Sequence, residues 1–274
     1  MYSKFILNDL VPSDYEDCKS IGQKYYEEVR DSIQSELGNF IGIDGTVDGT
    51  KLQEEWFPTK KGTFNIFLSH SHADEELAVS LAGYLKDRFN LNVFIDSCLW
   101  GYANNLLREI DEMYCRQSNG KFFDYDKRNY STSHVHMMLA SALLRMIDNC
   151  EAVFFLNTEN SISIGEEIEK ERTASPWIYT ELAMADRISI RSVQYHRKKL
   201  SEIEHRQNEL ANESVSLKIN YHVDRELKKF IPLSRDDIMD WELLCEANKH
   251  EGEYALDELY KFKGIQSDQN VYLG

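Results

Sequence analysis

The sequence predicts an α/β protein built on a parallel β-sheet, and three observations predict it. Thr63-Phe64-Asn65-Ile66-Phe67-Leu68, Leu91-Asn92-Val93-Phe94-Ile95-Asp96 and the run over 152–157 have the length and apolar character of buried strands. Between the first two, Leu77, Ala78, Leu81, Ala82, Leu85 and Phe89 recur at helical spacing over about 74–88, which makes a βαβ unit with a right-handed crossover. The third run is preceded by an apolar helix over about 133–148 and followed by another near 176–187.

Taken in order, residues 1–61 are expected to be a mainly helical N-terminal extension. Phe5-Ile6-Leu7 is a short apolar piece. Ser13 with Glu16 three residues later has the form of a capping box, so a helix is expected from about 14 to 36, ending at Gly38. Gly38, Gly42, Gly45, Gly49 and Gly62, with two Asp-Gly pairs, mark turns and suggest a small hairpin over 38–62. Asp44 and Asp48 lack the alternating ligands and closing Glu of a calcium loop, so turn chemistry accounts for them.

The α/β domain is expected over 62–250, with insertions at about 111–134 and 188–215. A helix over 105–115 is followed by a long polar loop over 116–133, and loops of that length more often carry function than not. Residues 187–212 read as one long charged helix and 216–223 as an alternating strand. Ser234-Arg235-Asp236-Asp237 caps a helix that carries Ile238, Trp241, Leu243 and Leu244. A C-terminal helix over 252–262 and a frayed tail complete the segment 251–274.

The net charge of −16 argues against general binding to nucleic acid or an acidic membrane surface. The five cysteines are scattered, odd in number and never in CxxC spacing, as suits reduced thiols in the cytoplasm. No run has the form of a signal peptide or of a membrane span.

A strand–helix order of this kind is half of a flavodoxin-like fold, whose ligands lie beyond the carboxyl ends of the strands. Three segments would meet there: 69–74, 96–105 and 177–181. The last opens a helix with Ser175 as N-cap and Pro176 in the first turn, and sets Trp177 and Glu181 at i, i+4 on one face.

These segments resemble the TIR (Toll/interleukin-1 receptor) domain family. The residues that carry the resemblance are Phe67-Leu68-Ser69-His70-Ser71-His72-Ala73-Asp74, then Val93-Phe94-Ile95-Asp96, then Ser175-Pro176-Trp177 with Glu181-Leu182. The likeness covers about 63–245 and is to bacterial TIR proteins of antiphage defence, including those of Thoeris-type systems, more than to animal receptor adaptors. Two departures stand out. Trp100-Gly101-Tyr102 and a long insertion replace the usual loop after the second strand, and 187–215 is longer and more charged than a minimal TIR domain needs.

The resemblance implies an enzyme that cleaves NAD⁺ as substrate, with no further cofactor, releases nicotinamide and makes an ADP-ribose-derived signal, as a glycohydrolase or an ADP-ribosyl cyclase or transferase. It also implies a downstream effector protein that senses the product, a phage-derived trigger and a homo-oligomer. Glu181 matches the family's catalytic residue. A fixed carboxylate there stabilises the oxocarbenium-like ribose as nicotinamide leaves. Asp96 is cast as a positioning residue, or as the cap of a turn. Trp100, Tyr102 and Trp177 are candidates to stack on nicotinamide or adenine, with Trp177 equally suited to anchor the helix in the core. Ser69, His70 and Ser71 would donate to ribose or phosphate, or the serines would cap the following helix. The pairs His70/His72 and His134/His136 invite a metal reading, but loop and helix-start geometry turns such neighbours apart, so no metal is expected. The alternative function is a TIR scaffold or nucleotide-binding module without turnover.

Overall fold

The computed structural model describes residues 1–31, 37–41, 47–57, 63–117, 120–164, 171–173, 175–197, 221–222 and 224–265. Among these the strands are β1 (Ser3–Leu7), β2 (Ile66–Ser69), β3 (Val93–Ile95), β4 (Ala152–Leu156), β5 (Ser163–Ile164), β6 (Glu171–Thr173), β7 (Tyr221–His222) and β8 (Ile231–Leu233). The helices are α1 (Lys19–Asp31), α2 (Gly49–Trp56), α3 (Glu75–Phe89), α4 (Ser97–Ile110), α5 (Tyr125–Asn149), α6 (Pro176–Arg187), α7 (Val193–Arg197), α8 (Asp224–Leu227), α9 (Arg235–Asn248) and α10 (Glu253–Phe262).

Five strands form one sheet in the order β3-β2-β4-β1-β8, and every pairing is parallel. The arrangement is flavodoxin-like, with helices flanking the sheet. Phe67 lies opposite Phe94 on one side and Val153 on the other, and Phe5 lies between Phe154 and Ile231. Strands buried on both faces need apolar residues at successive positions, which is why these segments are short continuous runs and do not alternate. Phe5, Phe67, Phe94, Phe154 and Phe155 are all fully buried, and each such side chain contributes about 1.5–3 kcal/mol.

Two expectations for the N-terminal 61 residues are corrected. Phe5-Ile6-Leu7 belongs to β1, which sits inside the sheet between β4 and β8, so its backbone is integral to the α/β core and is not an extension of it. In place of one helix over 14–36, the described part is a 3₁₀ turn, Pro12–Cys18, followed by α1, and 32–36 lie outside the described residues. The turn is closed by Asp14, which accepts from the Val11 N–H at 3.0 Å, and not by the Ser13/Glu16 box. Helix α1 packs on α3 through two glycines. A Cβ on Gly22 would stand 2.0 Å from the Val79 carbonyl oxygen, and one on Gly83 would stand 2.5 Å from the Gly22 nitrogen. Only glycine permits backbones this close.

The hairpin expected over 38–62 contributes one antiparallel bridge, Ile41 to Val47, and then α2, capped by Asp48. Gly42, Gly45, Asp44 and Gly62 lie outside the described residues. The second half of the long polar loop expected over 116–133 is instead helix, and 118–119 lie outside the described residues. Helix α4 starts eight positions earlier than expected and runs into a π turn, Asp111–Cys115; a single bridge joins Arg116 to Phe123, and α5 follows, capped by Asp124. The charged helix over 187–212 is likewise broken. Helix α6 ends at Arg187 and α7 is a separate turn; 198–220 and 266–274 lie outside the described residues. The capping box at Ser234 and Asp237 is present, and α9 and α10 close one face as Trp241 stacks on Phe89 and donates to the Ala255 carbonyl at 2.8 Å.

No described helix is long and apolar enough to cross a membrane. All five cysteines are free and buried. Burial pushes the Cys150 and Cys245 thiols up to about 12, which leaves them unreactive.

Candidate active site

The sheet has a topological switch point between β2 and β4. From β2 the chain passes through α3 to β3 on one side, then returns to β4 on the other. Crossovers that leave in opposite directions open a crevice at the carboxyl ends of these strands, where open parallel sheets hold ligands.

Three elements deliver polar side chains to that edge. Ser69 is the last residue of β2 and His70 follows it; Asp96 directly follows β3, its N–H still bonded to the Leu68 carbonyl. Glu181 arrives from α6. That helix is held at both ends. Ser175 Oγ accepts from the Ile178 N–H at 3.3 Å, and Lys4 of β1 reaches the Ala185 carbonyl from its Nζ at 3.0 Å. The first bond satisfies a free N–H and the second a free carbonyl of the helix.

The four side chains touch in sequence. Ser69 Oγ donates to Glu181 Oε2 at 2.5 Å. The Asp96 carboxylate lies close enough to Glu181 to act on its carboxyl. Asp96 in turn forms an ion pair with His70 Nδ1 and accepts from the His70 backbone N–H at 3.3 Å. All four are almost fully enclosed, with 1% exposure for Ser69 and His70, 0% for Asp96 and 2% for Glu181. Even so, no hydrogen-bond donor reaches Glu181 Oε1, and His70 Nε2 has no partner. Buried polar atoms without partners are costly and are retained mostly where chemistry uses them.

The electrostatics follow from this enclosure. Burial, and then the facing Asp96 carboxylate, hold the Glu181 carboxyl well above the usual carboxylate range, against the opposing pull of the Ser69 hydroxyl. Burial also works against a charge on His70. The Asp96 carboxylate and its hydrogen bond outweigh burial and raise the imidazole above its ordinary value. Enclosure and the neighbouring Asp96 thus favour the neutral form of Glu181, while Asp96 favours the charged form of His70.

The other sequence candidates fall elsewhere. Ser71 starts the 3₁₀ turn His72–Asp74 with its backbone carbonyl, without a side-chain cap. Tyr102 is turned into the core, where its hydroxyl donates to the Val29 carbonyl of α1 at 3.4 Å, so it is not a stacking face at this edge. Trp177 is half-buried and meets the His136 ring of α5 edge-on at 5.6 Å, the geometry of an anchor between α5 and α6. Trp100 lies on α4, and its side chain is outside the described residues. The histidine pairs are split. His70 is buried on Asp96, His72 is exposed near Glu75, and His134 meets the Tyr130 ring edge-on. Among the described residues no group of three or more His, Cys, Asp or Glu side chains is arranged so that it could hold a metal ion.

One set of residues escaped the sequence reading. Asp74 accepts from Thr158 Oγ1 at 2.6 Å and from Asn160 Nδ2 at 2.7 Å, tying the loop after β2 to the loop after β4 across the switch point. The available signal was the polar run Asn157-Thr158-Glu159-Asn160 directly after a buried strand. A surface groove of about 380 Å³ beside Arg108, Glu109, Glu112 and Met113 shares no residue with this cluster. Comparison with protein-family models, with curated proteins and with solved structures returns no match to this chain.

Proposed function

We propose that the protein is a TIR-type enzyme that cleaves NAD⁺, with Glu181 as the catalytic carboxylate, and that the product serves as a nucleotide signal in antiphage defence. The observation that supports the reading is the enclosed Glu181 at the carboxyl edge of the parallel sheet, hydrogen bonded to Ser69 and facing Asp96. In the reaction the bond between ribose C1′ and the nicotinamide nitrogen breaks. Its electron pair leaves with the ring, which becomes neutral, and positive charge develops on the ribose. Glu181 stabilises that charge in its ionised form. A cationic pyridinium beside the carboxyl favours that form, so substrate entry itself releases the proton. Only one carboxylate is needed, because nicotinamide leaves without prior protonation.

The test is nicotinamide release from NAD⁺ by wild type and Glu181→Ala, with mass spectrometry to distinguish ADP-ribose, a cyclic isomer or a conjugate. Release by wild type and none by the variant supports the reading; an unaffected variant overturns it. A second reading, a scaffold or nucleotide-binding module without turnover, is favoured by one observation: Glu181 is 2% exposed, so a substrate reaches it only after the edge opens. Measurable nucleotide binding with an intact NAD⁺ pool would support that alternative.

A further inference from the structure

Glu181 and Ser69 have a role in the reaction proposed above, but two groups beside them do not. Asp96 and His70 are as enclosed as Glu181, and burying an acid and a base next to a third ionisable group has a desolvation cost that simple packing would avoid. Asp96 is committed twice to His70, through the ring and through the backbone N–H, and this fixes the carboxylate in rotation. The backbone N–H of Asp96 is bonded to the Leu68 carbonyl at 3.2 Å, which sets it beside Ser69, whose hydroxyl donates to Glu181 at 2.5 Å.

We propose that His70 and Asp96 form a positioning pair for Glu181: His70 locks and counter-charges Asp96, and the charge of Asp96 decides when Glu181 becomes a carboxylate. The pair touches no reacting atom and acts only through Glu181. The inference rests on Glu181 being the catalytic carboxylate.

The groups that face Glu181 are few. Asp96 comes from the turn after β3, and the Ser69 hydroxyl comes from β2. His70 stands behind Asp96, and Asp74 and Glu75 from the turn after β2 act on His70. Two consequences of opposite sign follow. Without the negative charge of Asp96, Glu181 ionises at lower pH. Without the positive charge of His70, the carboxyl pair holds its last proton to higher pH. A merely structural role would loosen the site and move both variants the same way, toward an ordinary carboxylate.

The experiment is a pH titration of carboxyl-¹³C-glutamate-labelled full-length protein by NMR, with Glu181→Gln used to assign the Glu181 signal, applied to wild type, Asp96→Asn and His70→Gln. Nicotinamide release is followed across the same pH range. The expected result is a Glu181 midpoint that falls in Asp96→Asn and rises in His70→Gln, with the rising limb of activity moving in the same directions. Where Asp96→Asn does not fold, His70→Gln decides alone, and an unmoved or lowered midpoint overturns the proposal. Midpoints that shift as stated in a protein that never releases nicotinamide support the pair and remove the NAD⁺ reading. Nicotinamide release with unshifted midpoints retains that reading and overturns the pair.

Discussion

Helix α4 separates two buried polar clusters that are built on opposite principles. At its start, Asp96 and His70 meet Ser69 and Glu181, and two buried atoms, Glu181 Oε1 and His70 Nε2, have neither a hydrogen-bond nor an ion-pair partner. At its end, in the π turn, Asp111 accepts from Ser131 at 2.7 Å and from Arg128 Nε at 2.8 Å, while Cys115 Sγ lies 3.7 Å from Ser131. There every buried polar atom is matched, and Arg128 keeps part of its side chain in water. A saturated network stabilises and fixes one geometry; one left incomplete carries strain that a ligand can relieve. The second cluster shapes the insertion, and the first is where chemistry is expected.

The largest effect that sharpens this contrast is on turnover. Glu181→Gln is expected to lower nicotinamide release by about 10²–10³-fold, the scale for losing one preorganised charge-stabilising group, with the melting temperature held or raised, because the amide oxygen still accepts from Ser69. Asp111→Ala is expected to do the reverse. It leaves turnover within a few-fold and lowers stability by about 1–3 kcal/mol, because Ser131 loses its acceptor in a buried place. Thermal melts with parallel nicotinamide assays separate the two. A variant pair that moved both quantities together would erase the distinction.

A smaller effect appears in the pH dependence of stability. The folded Glu181 carboxyl sits above the usual carboxylate range. Between the unfolded and folded values the native protein holds a proton that the unfolded chain has released. This stabilisation is complete below the unfolded value and is lost as pH rises through the folded one. Glu181→Gln removes the loss, so wild type and variant should melt alike in acid and the variant should melt higher in alkali. A constant gap across pH would mean that Glu181 is not protonated in the resting fold. The smallest effect is expected at the tip of the insertion. Phe122 is 65% exposed and Tyr130 is 70% exposed. Phe122→Ser should change stability by within about 0.5 kcal/mol and leave nicotinamide release unaltered.

Much of the sheet was legible from sequence because its strands are short apolar runs bounded by turn chemistry. The runs over 63–68, 91–96 and 152–157 fall on β2, β3 and β4, and the Ser175-Pro176 signal marks the start of α6. Strand β1 was noticed only as Phe5-Ile6-Leu7. Its partners, β4 and β8, lie far along the chain, and local pattern carries no trace of a distant parallel pairing. The insertion was misjudged for a different reason. Its first helical turns are polar on all sides and show no apolar stripe, so α5 could be recognised only from about residue 133. At the site, Ser69, His70, Asp96 and Glu181 were named singly, each at the end of a strand or on the helix after it. Their contact order, and the turning of Tyr102 into the core, depend on side-chain direction, which spacing does not encode.

The placement of β1 also governs the order in which the molecule can assemble. Phe5 packs between Phe154 and Ile231, so its two neighbours follow it in synthesis by well over a hundred residues. The β2–α3–β3 unit can close locally while β1 still lacks both of its partners. Contacts this distant in sequence make folding slow, and they leave an apolar strand open to wrong pairing in the meantime. Chaperone dependence in the cell, and refolding yields that fall with protein concentration, are the expected signs of a sheet whose earliest strand is among the last to be enclosed.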